Sequence, residues 1–210
     1  MTLQQAVAAR NIFHLYHFTH SDNLSSILTK GLIGRQTLQD EKYKFEANDE
    51  VRLEGYPDAL CLSISFPNAK MFFKCRSEKG GDWVILDLAP RILWEKDCSF
   101  YPFNAASSSF RSTDRKDMQG KAAFENLFLE PAPGSSRKTL NLTSEYPTDV
   151  QAEVLVFEPI ESRYISSVYH PNKKSHDHFF NLHSTFQHRY YDGISGPTPT
   201  LYSQRHYYLG

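Results

Sequence analysis

Glu153 heads the apolar run QAEVLVF and, by strand alternation, shares a face with Leu155 and Phe157. A carboxylate among such neighbours has two readings. It ends a strand in water, since Glu is seldom buried unless paired, or it stands in a cleft as a general base or as a partner for a cation formed during reaction. Tyr16-His17-Phe18-Thr19 offers a second group. At i and i+2 on a strand, His17 and Thr19 point to one side and can present an imidazole and a hydroxyl to one small polar ligand, such as a ribose or a carboxamide. The competing reading is a strand histidine satisfied within the fold. Arg52, in NDEVRLEG, is either a surface ion pair of small energetic weight or a bidentate phosphate clamp.

The elements that must position these residues are short. Ile12–Thr19 reads as a strand; Ser21 or Asp22 then caps a helix carrying Leu24, Ile27 and Leu28, and Gly31 ends it. Arg35–Tyr56 is polar, without periodicity, and reads as a functional loop or lid. Ala59–Phe66 is a buried strand stopped by Pro67, with a short helix over Asn68–Lys74. Trp83–Leu88 is a strand, Phe103–Thr113 is irregular, and Lys116–Leu129 is helical. The stretch Glu130–Ser144 is turn-rich. Glu153–Phe157 and Tyr164–Tyr169 are strands, and a helix is expected around Phe179–Tyr190. Short strands with a few helices between them imply an α+β fold with a mainly antiparallel core.

With 210 residues, 40% of them hydrophobic and 22% charged, the chain fits one globular domain over residues 1–210. No apolar run is long enough to span a bilayer and the start lacks a secretory pattern, so a cytoplasmic protein away from the membrane is expected. Cys61, Cys75 and Cys98 lack a CxxC pair and read as ordinary thiols. A net charge of −1 argues against a broad grip on duplex DNA, though not against a single strand held by stacking in a local groove. The 15 Phe and 12 Tyr supply rings for such stacking as well as for the core. His176, His178, His183 and His188 have no nearby cysteine and no common structural spacing, so no metal is expected. Arg189, Tyr190, Tyr191, Arg205, His206, Tyr207 and Tyr208 interleave basic and aromatic groups, suited to nucleic acid or to packing back on the domain.

The runs YHFTHSDNLSSILTKGL, ALCLSISFPNAKMFF, WEKDCSFYPFNAAS and YPTDVQAEVLVFEPI together resemble the DarT family of DNA ADP-ribosyltransferases, in the family's order, from about Ile12 to about Tyr169. The resemblance implies an ADP-ribosyltransferase fold related to that of poly-ADP-ribose polymerases, with mainly antiparallel central β-sheets and flanking helices. It implies an NAD⁺-dependent pentosyl transfer to a base of single-stranded DNA. It also implies a toxin of a toxin–antitoxin system, with a macrodomain antitoxin as partner and phage defence as its setting; a monomer is expected.

Site roles follow from the same resemblance. His17 would contact the nicotinamide-side ribose, the Phe18 backbone the carboxamide, and Thr19 would support the pocket. Asn23 would help hold NAD⁺, with a helix N-terminus near its pyrophosphate. Arg52 and Glu153 would be catalytic, and Met71 would meet the target nucleotide; Asn104 with the adjacent serines, read from residue types and not from the resemblance, is a base-reading, substrate-binding loop or an ordinary turn. Ser63 or Ser65 lies where the polymerases place a stacking tyrosine, which makes Ser65 a pocket candidate and leaves the ring stacked on nicotinamide to Phe66 or Phe72.

Cleaving the glycosidic bond of NAD⁺ develops an oxocarbenium-like ribose, which Glu153 would stabilise while also activating the base. Such a base must be unstacked or single-stranded. Guanine is favoured over thymine by the WEKDCSFYPFNAAS and QAEVLVF motifs. The alternatives are an RNA or protein acceptor, or a catalytically silent NAD⁺ or nucleic-acid binding module.

Overall fold

A computed structural model describes residues 1–47, 55–110, 113–131, 136–190, 200–203 and 205. Its centre is the strand β3 (Trp83–Leu88), buried along its whole length because both sheet faces are covered, which is why WVILDL is almost continuously apolar. Around it lie β1 (Leu15–His20), β2 (Leu60–Ile64), β4 (Cys98–Tyr101), β5 (Glu153–Val156), β6 (Ile165–His170) and β7 (His188–Tyr190), in the sheet order β4-β5-β2-β1-β3-β6-β7. Every pairing is antiparallel except that of β6 with β7.

One face of the sheet packs Leu15, Leu62, Leu86, Val154 and Val168 against five helices. These are α1 (Leu3–Ala9), α2 (Leu24–Lys30), α5 (Ile92–Glu95), α6 (Gly120–Asn126) and α7 (Lys173–Leu182). The other face carries Tyr16, Trp83 and Ile85, covered by α4 (Ala69–Lys79) through Phe72 and Cys75, and by Leu201 and Tyr202 from the C-terminal segment. The Tyr202 hydroxyl donates to the carbonyls of Trp83 and Tyr169, fastening that segment to two strands.

Several expectations shift. Helix α1 was not anticipated; Thr2 starts it with a capping box, its hydroxyl accepting from Gln5 N while the Gln5 side chain accepts from Thr2 N. The polar stretch after Gly34 contains α3 (Arg35–Asp40), so it is not wholly loop. Strand β2 ends at Ile64 rather than running to Phe66: Ser65 takes φ 59° and its N–H donates to the His14 carbonyl, while Phe66 N closes back on Ile64 O. The helix expected over Lys116–Leu129 is split by Gly120 at φ 75° into a 3₁₀ turn, Arg115–Met118, and α6.

The final helix begins earlier than expected. Asn172 caps it by accepting from Ser175 N, and residues 188–190 form an edge strand instead. Gly31 ends α2 as anticipated, and a Cβ there would sit 2.4 Å from the Ile160 carbonyl oxygen, which instead accepts from Leu32 N. That close approach ties α2 to the segment that follows the Glu153 strand.

Candidate active site

Strands β1 and β2 pair only at Leu15–Ile64 and Tyr16–Ser63 and then part. The gap opens into a cavity of about 330 Å³ lined by His17, Phe18, Thr19, Asn23, Met71, Asn104 and Glu153. Arg35, Lys44 and Lys74 add cations to the lining, and Ile27, Leu32 and Leu38 add apolar surface. Pockets that hold small ligands are of about this size, ~300–1,000 Å³, and mix apolar walls with a few convergent polar groups.

One wall is β1 and the turn after it. His17 bridges the split, its Nδ1 lying 2.9 Å from the Cys61 carbonyl oxygen. A carbonyl only accepts, so Nδ1 carries the proton and the ring's orientation is fixed. Thr19 is buried at 3% exposure and its Oγ1 accepts from Asn23 Nδ2 at 2.9 Å. Neither Ser21 nor Asp22 caps the helix. The His20 imidazole accepts from Asp22 N at the head of a 3₁₀ turn over Ser21–Asn23, which runs into α2. Asn23 makes no cap bond. Its amide holds both backbone groups of Glu46: Nδ2 donates to Glu46 O and Oδ1 accepts from Glu46 N, each at 2.8 Å. Residues 44–47 are thereby strapped across the cavity, with a second tie from Lys79 Nζ to Ala47 O at 2.7 Å.

The opposite wall presents Glu153, half-buried at the head of β5. Oε2 accepts from Ala105 N at 3.2 Å, and Asn68 Nδ2 lies 3.4 Å from Oε1. Asn68 itself is 3% exposed. It caps α4 by accepting from Met71 N, and its own N–H donates to Ser63 Oγ. One asparagine thus joins the helix start, the end of β2 and the carboxylate. Asn104 turns its loop through a side-chain bond from Ala106 N at 2.8 Å, which brings Ala105 N onto Glu153. Neither Asn68 nor the Ala105 amide was singled out from the sequence. The available signal was the repeated pattern of strand, turn and helix, once after β1 and again after β2, with an asparagine at the second helix start.

Two expected pocket residues lie elsewhere. Ser65 forms the turn after β2 and is absent from the lining, where Ser63 stands instead. Phe72 is 1% exposed and stacks under Phe18 with ring centres 4.7 Å apart, flanked by Trp83 and Tyr202. A buried ring sandwiched in this way supports the β1 wall and has no face to offer a ligand; Phe66, at 3% exposure, has none either. Of the aromatics near the strand split, Phe18 is half-exposed to the cavity. Arg52 lies outside the described residues.

A sheet split beside a His-x-Thr strand, faced by a strand-leading Glu, defines an ADP-ribosyltransferase-like α+β fold, and solved structures share it. Thermosipho africanus DarTG in complex with ADP-ribose superposes with a TM-score of 0.63 at 18% identity, over 90% of this chain and 51% of that one. Thermus sp. 2.9 DarT in complex with NAD⁺ gives 0.56 at 15% identity, over 86% and 96%. The same Thermus protein in complex with ADP-ribosylated ssDNA gives 0.53 at 15% identity, over 86% and 93%. The chain belongs to the DarT family, described as ssDNA thymidine ADP-ribosyltransferase, whose model matches residues 16–193. A DNA ADP-ribosyl transferase–DNA ADP-ribosyl glycohydrolase fusion protein of Thermosipho africanus is 24% identical over 201 residues. That match takes in 88% of this chain and 48% of the relative, so the chain spans about half the length of the fusion.

Proposed function

We propose that this chain, as one ADP-ribosyltransferase domain, uses NAD⁺ to attach ADP-ribose to a base of single-stranded DNA, with Glu153 as the catalytic carboxylate. The observation that carries the reading is the placement around one cavity of the fixed His17 imidazole, on β1, and the half-buried Glu153, on β5, with the parting of β1 from β2 opening the space between them. The family match and the ssDNA named for its Thermus relative supply the acceptor.

The lining fits the dinucleotide. Arg35, Lys44 and Lys74 are cations for a diphosphate, and His17 and Thr19 offer polar groups to a ribose or carboxamide. Asn23 acts through the strap over residues 44–47 rather than as a helix cap. NAD⁺ brings a ribosyl centre whose bond to a neutral leaving ring can break. The protein's part is to hold that centre, face it with a carboxylate as positive charge develops, and take the proton from the attacking base. Glu153 does both. Its two oxygens are held by Asn68 and Ala105 N, so little reorientation is needed at the moment of reaction. Arg52 would align base and cofactor, and Met71 and Asn104, both in the lining, would flank the base.

Of the possible bases, guanine is the one that the WEKDCSFYPFNAAS and QAEVLVF motifs favour, against the thymidine of the family's description. The fused glycohydrolase of the Thermosipho relative supports a macrodomain hydrolase as partner, and with it the reading of the chain as a toxin. Labelled NAD⁺ offered with separate pools of single-stranded DNA, duplex DNA, RNA and protein tests the assignment. Label in the single-stranded pool alone is expected; label only in RNA or protein changes the acceptor, and label in none leaves a binding module. Mass spectrometry of digested product then reads the base.

A further inference from the structure

A second carboxylate stands on the same sheet face as Glu153. Across that face Tyr101 is opposite Glu153, Tyr16 is opposite both Ser63 and Asp87, and Asp87 is opposite Ser167. The row closes because Glu153 and Ser63 fall one step beyond the Leu62–Val154 pair. Paired residues point to one side of a sheet. Glu153 and Asp87 are therefore three strand spacings apart, about 14 Å at ~4.8 Å each.

Asp87 has a side chain only 6% exposed, in the middle of the central strand. His14 Nδ1 lies 3.1 and 3.0 Å from its two oxygens, and Ser167 Oγ donates to it at 3.4 Å. A carboxylate so placed must be compensated. The compensating imidazole is itself half in water, with 50% of its side chain exposed. With Nδ1 given to Asp87, the far nitrogen Nε2 is the ring atom directed at a ligand. Hydrogen bonding to Asp87 raises the His14 pKa above its ordinary value, against burial and the nearby Arg189 charge. Arg189 is exposed on β7, in register with Tyr169, and among the described residues its guanidinium contact is the neutral Gln187. The Tyr16 ring meets that of Tyr169, the register partner of Arg189, with centres 6.5 Å apart, which places Arg189 and His14 on one stretch of this face. The Tyr16 ring stacks on His14 with centres 5.9 Å apart, and Tyr16 also lines the cavity.

We infer that His14 and Arg189 bind a backbone phosphate of the DNA strand whose base reaches Glu153, with Asp87 holding the imidazole in place. This rests on the DNA-acceptor reading above. The span of about 14 Å is about four nucleotides at ~3.4 Å each, or fewer if the strand is extended. The site takes a phosphodiester anion and reads no base, so it sets how long a strand is gripped rather than which base is modified.

Fluorescence anisotropy with single-stranded oligonucleotides of about 2 nucleotides, too short to span the distance, and about 16 nucleotides tests this, alongside the KM for NAD⁺. Arg189→Gln removes an exposed charge from an edge strand. His14→Asn keeps a donor for Asp87 and removes Nε2. Each variant should weaken the long oligonucleotide about three- to tenfold and lower the salt slope by about one, with the short oligonucleotide and KM for NAD⁺ unchanged. Unchanged affinity and slope in Arg189→Gln overturns the inference, whether or not His14→Asn folds. A raised KM for NAD⁺ assigns the phosphate to the dinucleotide and overturns it equally. Wild-type protein that neither binds nor modifies single-stranded DNA overturns the acceptor reading itself.

Discussion

The two halves of the sheet use their polar side chains differently. On the β5–β2–β1 side, His17, Asn68 and Glu153 are held by backbone or neighbouring groups and stand around a cavity. On the β6–β7 side, His170 is fully buried with both ring nitrogens engaged, Nδ1 by Ser175 Oγ and Nε2 by His188 Nδ1 at 2.8 Å. Burial first, and then the neighbouring His188 and His176, push the His170 pKa down to about 3. The same residue type thus faces a cavity in one half and is enclosed by the fold in the other. What separates them is whether the strands stay paired: β3 and β6 remain in register along most of their length, whereas β1 and β2 part after two pairs.

Substitutions can break or sharpen that contrast. The largest effect on stability is expected beneath the β1 wall. Phe72→Ala should cost about 3–5 kcal/mol in denaturant unfolding, the usual range for a buried Phe; a loss under ~1 kcal/mol would contradict its supporting role. On the cavity side, Asn68→Asp keeps an oxygen to cap α4 but sets a second carboxylate against Glu153. Transfer should fall about a hundredfold, or ~2.7 kcal/mol, by more than the stability lost to a second buried carboxylate. Equal losses of folding and transfer would move Asn68 to the structural half.

The buried histidine gives a pH signature. A His whose folded pKa lies near 3, below the ordinary 6.5, stabilises fully above about 6.5, and that contribution is lost progressively as pH falls toward about 3. Thermal melts should therefore drop through this window in wild type and flatten in His170→Asn. His14 works in the opposite sense: its raised pKa favours the fold at low pH and the gain is lost as pH rises through that value. The smallest effect is at the chain start, where Thr2→Ala removes the capping box and should cost about 1 kcal/mol.

Much of this arrangement was legible in the sequence. β3 was readable residue for residue because burial on both faces makes a continuous apolar run. The unit of β1, α2 and Gly31 was readable because a positive φ against the Ile160 carbonyl admits only glycine comfortably. His17, Phe18, Thr19, Asn23, Met71, Asn104 and Glu153 do line one cavity. What was lost depends on contacts distant in sequence. Asn68 reads only as the start of a short helix, and its reach to Glu153, 85 residues on, is invisible without the fold. Phe72 reads as a ring available for stacking until Phe18, Trp83 and Tyr202 enclose it. β7 is a polar edge strand with no apolar alternation, held by its pairing to β6. Helix α1 was a different failure: Thr2 and Gln5 spell its capping box in plain local sequence.

Glu153→Gln is the most direct test of the central claim, because it keeps the side chain's shape and an oxygen acceptor while removing its charge and basicity. Single-turnover transfer of ADP-ribose to single-stranded DNA should fall about 10²- to 10⁴-fold, with NAD⁺ affinity and melting temperature close to wild type. Transfer at the wild-type rate by the folded variant would contradict the account.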